Sequence, residues 1–116
     1  MTAIGQHLIA DLWDCDGLAD PAVIEGALRS AAIAAGATLL DLKLHHFGPQ
    51  QGVTGVALLA ESHISIHSWP EHGYAAVDIF LCGEAPGSAA ALDCLIMHLN
   101  SKRVTHTQIV RGGLPI

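Results

Sequence analysis

Between positions 61 and 72 the chain reads Glu61-Ser62-His63-Ile64-Ser65-Ile66-His67-Ser68-Trp69-Pro70-Glu71-His72, and Asp78 and Cys82 follow closely. Hydroxyl, imidazole, carboxylate and thiol groups thus crowd one short stretch, the ingredients of nucleophilic, acid–base or metal chemistry. Plainer readings compete: solvated polar faces of two paired strands, a packing cysteine, histidines satisfied by hydrogen bonds. A metal would need His63 and His67 together with Asp78 or Cys82. Strand positions four apart lie roughly 13 Å apart along the rise, too far to share one ion without distortion, so no metal site is expected. A Ser-His-Asp hydrolase would need an exposed serine elbow, and the chain has no GxSxG or equivalent.

The elements that must position these groups follow from hydrophobic period. Gly5 to Cys15 alternates, with Leu8, Ala10 and Leu12 on one side and His7, Ile9, Asp11 and Trp13 on the other, as a half-buried strand does. From Pro21 to Ala35 apolar residues recur at three and four, with Asp20 before Pro21 as a start signal and Gly36 as a stop. Thr38 to Phe47 alternates again and puts Leu40, Leu42 and Leu44 on one face. Gly48 to Gly52 is a turn by composition. Val53 to Ala60 and His63 to Trp69 read as strands, Pro70 to Gly73 as a turn. Tyr74 to Cys82 is a strand with Ala75, Val77, Ile79 and Leu81 inward and Tyr74, Asp78, Phe80 and Cys82 on the opposite face, closed by Gly83 and Pro86-Gly87. Ser88 to Asn100 reads as a second helix and Lys102 to Val110 as a last strand. The order β-α-β-β-β-β-α-β, with hairpins in the middle, predicts an α+β fold: an antiparallel sheet covered on one face by two helices, in two layers.

One domain accounts for all 116 residues. Hydrophobic residues make up 51% against 14% charged, enough to build a core and too much for disorder. No stretch approaches the roughly 20 apolar residues of a membrane span, and no basic-then-apolar leader opens the chain. The expectation is a soluble, cytoplasmic protein with no membrane partner. A formal charge of −6 repels a phosphate backbone, so nucleic acid is not an expected partner. Cys15, Cys82 and Cys94 lack CxxC spacing and are expected as reduced thiols. Eight histidines exceed what packing requires and bring groups that titrate near neutral pH.

The run Glu61 to Glu71, then Gly73-Tyr74-Ala75-Ala76-Val77-Asp78-Ile79-Phe80 and Cys82-Gly83, closely resembles the short prokaryotic S-adenosylmethionine decarboxylases. Gly5-Gln6-His7-Leu8, Cys15-Asp16 and Gly52-Val53-Thr54-Gly55-Val56 extend the likeness over most of the chain. The resemblance implies self-cleavage between Glu61 and Ser62 into chains 1–61 and 62–116, with Ser62 becoming a covalent pyruvoyl cofactor. It makes His67 an aid to the elimination step and Thr54 the counterpart of a serine hydroxyl that assists attack. Cys82 resembles the proton donor of a decarboxylation that runs through a Schiff base with the substrate amine. Phe47 matches an aromatic that stacks adenine, and Glu71 a carboxylate that accepts ribose hydroxyls. Trp69 joins Phe47 as an aromatic face suited to a sulfonium.

The family likeness also implies a homodimer of processed protomers in polyamine biosynthesis, acting on a small-molecule substrate. Two departures touch the pocket: the Phe47 to Thr54 turn is one residue longer than usual, and the chain stops early, at Ile116. Relatives that keep the self-processing residues act on L-arginine or L-ornithine, which is the alternative substrate class. A homologue that binds ligand without cleaving itself is the reading from a different class.

Overall fold

A computed structural model describes residues 4–82 and 87–113. Six strands form one antiparallel sheet: β1 (Gly5–Trp13), β2 (Leu39–His46), β3 (Val53–Leu59), β4 (Ser62–Trp69), β5 (Tyr74–Cys82) and β6 (Arg103–Arg111). Their spatial order is β2-β3-β4-β5-β1-β6. Three consecutive hairpins make the centre. β1 slots beside β5, and β6 adds to the free edge of β1. Two helices, α1 (Pro21–Ala34) and α2 (Gly87–Leu99), cover one face and pack on each other, α1 above β2 and β3, α2 above β5 and β1. The α+β two-layer expectation holds.

Period two explains the layering. Leu8, Ala10 and Leu12 of β1, Ile64 and Ile66 of β4, and Ala75, Val77 and Ile79 of β5 are buried against Ile24, Leu28, Leu95 and Leu99 from the helices. Their strand neighbours in sequence point to the opposite, uncovered face. Helix α1 starts where expected because the Asp20 carboxylate accepts from the Ala22 amide at 2.9 Å and Pro21 fits the first helical position. Gly55 lets this helix lie close to β3, since a Cβ there would meet Leu44 at 2.7 Å and Leu28 at 2.9 Å.

The structure corrects one face assignment. A bulge between Leu39 and Asp41 shifts the register of β2 on β3. Leu39, Leu42 and Leu44 therefore reach the core while Leu40 is 61% exposed. An extra residue in one strand reverses the side-chain phase before it, and perfect alternation on the sequence conceals that. Boundaries move modestly. β1 ends at Trp13, because Asp14 turns the chain with φ 56°, and β6 begins and ends one residue later than the expected Lys102 to Val110, at Arg103 and Arg111. β6 lies beyond the helical layer, so its residues are exposed on both faces save Val104. Gly83 and Pro86, read as a turn, lie outside the described residues. No helix among the described residues is long and apolar enough to cross a membrane.

Candidate active site

Ala60 and Glu61 alone connect β3 to β4, and Leu59 pairs with Ser62 across this two-residue turn. Such a turn demands left-handed backbone, and Glu61 supplies it at φ 61° without being glycine. A side chain in this region costs roughly 1–2 kcal/mol. Cys82, the last residue of β5, closes on the same point. Its backbone N–H donates to Ser62 Oγ at 3.2 Å, and its Sγ lies 2.7 Å from the Glu61 carbonyl oxygen, which accepts the thiol hydrogen. The Glu61–Ser62 peptide thus carries a strained backbone on one side and polarising contacts at its oxygen and at the adjacent hydroxyl. A cleft of about 280 Å³ opens beside it, lined by Ala35, Thr38, Ala60, Ser62, Leu81 and Cys82.

A second cluster forms at the other end of β4. Thr54 pairs with His67 in the register of β3 on β4, and Thr54 Oγ1 lies 3.1 Å from His67 Nδ1. Phe47, Gln51, Thr54, His67, Trp69 and Glu71 line a cleft of about 410 Å³, within the roughly 300–1,000 Å³ span of small-molecule sites. The Gly48 to Gly52 turn is clamped to β4: a Cβ at Gly52 would meet the Ser68 carbonyl oxygen at 2.0 Å. The buried Ser68 hydroxyl accepts from the Val53 amide at 2.9 Å and donates to the Leu18 carbonyl at 2.7 Å. Phe47 stands 61% exposed at the rim, its ring edge-on to His45 at 4.6 Å. One face of Trp69 is stacked on Tyr74 at 5.4 Å, and Tyr74 on Trp13 at 4.4 Å. Burial first, then its 2.5 Å hydrogen bond to Asp11 and that carboxylate's charge, push the Tyr74 hydroxyl up to about 12, so it stays a donor.

All the expected site residues therefore fall in two groups. Glu61, Ser62 and Cys82 meet at one end, while Thr54, His67, Phe47, Trp69 and Glu71 meet at the other. Five residues of strand, roughly 16 Å, separate Ser62 from His67. Within one chain His67 cannot reach Ser62.

Between the groups lies a network that sequence patterning only half reveals. Asp78 Oδ2 accepts from His7 Nε2 at 2.8 Å and from His63 Nε2 at 3.1 Å, and the Ser65 hydroxyl donates to its other oxygen. Burial raises the Asp78 carboxyl, but the hydrogen bonds from Ser65, His7 and His63 outweigh it and hold the group below the usual carboxylate range. His63 and His67 serve different partners. His7 instead joins His63 and Asp78, with ligand-type atoms all within 4.8 Å of one another. Arg111 Nη1 lies 3.0 Å from His7 Nδ1. A guanidinium can only donate, so in this contact Nδ1 accepts and the ring N–H on Nε2 is aimed at Asp78. This tautomer makes a hydrogen-bonded relay and leaves His7 no free nitrogen for an ion. Period two places His63, Ser65 and Asp78 on one face, and His7 on its own polar side. Their meeting depends on the pairing of β1 with β5, which no local pattern encodes.

A family model described as S-adenosylmethionine decarboxylase matches residues 6–112. The S-adenosylmethionine decarboxylase proenzyme of Thermomicrobium roseum is 44% identical over 112 residues, covering 97% of each chain. That of Methanococcus aeolicus is 48% identical over 116 residues, covering 98% of each. Among solved structures, the adenosylmethionine decarboxylase from Aquifex aeolicus superimposes with a TM-score of 0.90 at 38% identity, over 99% of this chain and 96% of that one.

Proposed function

The chain belongs to the S-adenosylmethionine decarboxylase family, and from that premise we propose that it is a self-processing, pyruvoyl-dependent carboxy-lyase of polyamine biosynthesis acting on S-adenosylmethionine. One observation carries the self-processing: Cys82 touches both sides of the Glu61–Ser62 bond, thiol on the carbonyl oxygen and amide on the serine hydroxyl, where Glu61 is held at φ 61°. Attack of Ser62 Oγ on the Glu61 carbonyl carbon breaks the peptide C–N bond and forms an ester. The Cys82 thiol stabilises the oxyanion that develops. Loss of the Ser62 Cα proton then expels Glu61 as a carboxylate and leaves an enamine at residue 62, whose imine tautomer is hydrolysed by water with release of ammonia to leave a keto group there. That group supplies an electron sink for the pair released when CO2 departs. Cys82 holds a proton next to residue 62, in place to return it to the substrate carbon.

The base for the elimination, His67, sits at the far end of β4, and we place it in trans. The uncovered sheet face carries exposed Ile9, Val56, Leu58 and Ile109 around the central strands. A two-fold axis through that face runs β4 against its copy and brings the Ser62 end of each chain to the partner's His67 and the partner's Thr54. The Phe47, Trp69 and Glu71 cleft arrives with them, so adenine and ribose contacts come from one copy and the keto group from the other. Phe47 leaves its ring open at the rim despite the longer turn.

The test is direct. Purified protein should run as chains 1–61 and 62–116, the second blocked by a carbonyl that borohydride reduces, and Ser62→Ala should remain whole. The cleaved enzyme should release CO2 from S-adenosylmethionine in preference to L-arginine and L-ornithine. A chain that stays uncut after long incubation sinks the proposal and favours a ligand-binding homologue. Turnover of an amino acid alone overturns the substrate only.

A further inference from the structure

Cleavage turns the Ala60–Glu61 turn into two chain ends, and strand ends fray unless something ties them down. Residue 62 would then be both the first residue of a chain and the reacting group. The side chain nearest to it along β4 is His63, whose Nε2 donates to Asp78 on β5. Asp78 is held in turn by His7 of β1 and by Ser65, and His7 by Arg111 of β6. The chain of contacts crosses four adjacent strands, β6-β1-β5-β4, and ends one residue from Ser62. Its three central members are half-buried, with side-chain exposures of 17% for His7, 26% for Asp78 and 38% for His63, while Arg111 at its outer end is exposed. The His63 ring also packs against Phe80 at 5.9 Å, and the Arg111 guanidinium lies 5.8 Å over the same ring.

We infer that Asp78 is a positioning residue, which through His63 fixes the chain start at residue 62 beside Cys82 once the Glu61 tether is gone. The inference rests on the self-cleavage proposed above. Before cleavage the hairpin itself holds residue 62, so the clamp matters little to processing. After cleavage it replaces the lost covalent bond, so it matters to turnover. The carboxylate is suited to this because one oxygen takes both imidazole N–H groups while the other takes the Ser65 hydroxyl.

Asp78→Ala, Asp78→Asn and His63→Phe separate the possibilities. Each variant should cleave to completion at close to the wild-type rate. In the cleaved protein, amide hydrogen exchange over residues 63–65 should accelerate, and kcat should fall about tenfold or more, the scale of a small misplacement of reacting groups. Asp78→Asn, whose carbonyl still accepts one hydrogen bond, should recover part of both losses. His63→Phe keeps ring packing on Phe80 and serves where Asp78→Ala fails to fold. Cleaved variants with wild-type exchange and wild-type kcat overturn the inference. So do variants in which cleavage, kcat and melting temperature fall together, which marks Asp78 as structural only. A wild-type chain that never cleaves fails at an earlier stage and refutes the proposed function instead.

Discussion

Cys82 differs from the other two thiols in what its sulfur touches. Burial holds the Cys15 and Cys94 thiols above the ordinary cysteine range, against packed neighbours, whereas Cys82 faces the Glu61 carbonyl. Cys82→Ala should slow self-cleavage by about ten- to a hundredfold, the lower reach of an oxyanion donor because a thiol donates weakly. Cys94→Ala should cleave and turn over as the parent does. Time courses of cleavage on denaturing gels decide it, and equal slowing in both variants would trace the effect to packing. Asp78 supplies a second measurement. Its folded carboxyl lies below the ordinary value of about 3.9, so its stabilisation is complete above that pH and is lost as pH falls through the folded value. Asp78→Asn should therefore flatten the dependence of stability on pH in the acid range. An acid limb unchanged from wild type would show that the three hydrogen bonds contribute nothing to folding.

Among elements, the β3–β4 hairpin joins local strain to chemistry. Glycine occupies left-handed backbone freely, so Glu61→Gly in an uncleavable Ser62→Ala background should raise stability by about 1 kcal/mol in denaturant unfolding. With Ser62 intact, the same change should slow cleavage. A glycine variant no more stable than its parent would leave the turn with no strain to release. The hairpin was legible in the sequence as two strands flanking Glu61-Ser62, because β-branched and aliphatic content marks Val53 to Ala60 and period two marks His63 to Trp69. Its backbone was not, since nothing in Ala60-Glu61 announces a positive φ. The same division holds elsewhere. The Tyr74 to Cys82 strand put Asp78 and Cys82 on one face by period alone, and the structure agrees. The bulge at Leu39 to Asp41 broke the period in β2, and Leu40 went to the wrong side. Family likeness supplied Thr54 and His67 as functional residues, but only the register of β3 on β4 sets them together and far from Ser62.

For the molecule as a whole, the division of the site between the two ends of β4 is a statement about assembly. A six-stranded sheet with helices on one face exposes the other, and 116 residues bury little surface alone. A dimer through that face should persist at micromolar concentration in sedimentation. A mixing experiment goes further. Ser62→Ala has no nucleophile but keeps His67, and His67→Ala has a nucleophile but no base; each alone should remain uncut. Co-expressed, they should yield cleavage of the His67→Ala chain only, to at most the fraction of mixed dimers. If neither chain is cut in the mixture, the two clusters do not meet across copies.

Both tryptophans of the chain, Trp13 and Trp69, flank Tyr74 in a single stack at the His67 end of the sheet. All of the protein's indole fluorescence therefore originates beside the Phe47–Glu71 cleft, and none arises within its own chain near Ser62. Emission is a built-in reporter of what enters that cleft and is blind to bond breaking at the opposite end of the same protomer. In a monomer, self-cleavage would be optically silent. A change of emission that keeps pace with the appearance of the 62–116 chain would thus be the light of one copy registering a bond cut in another.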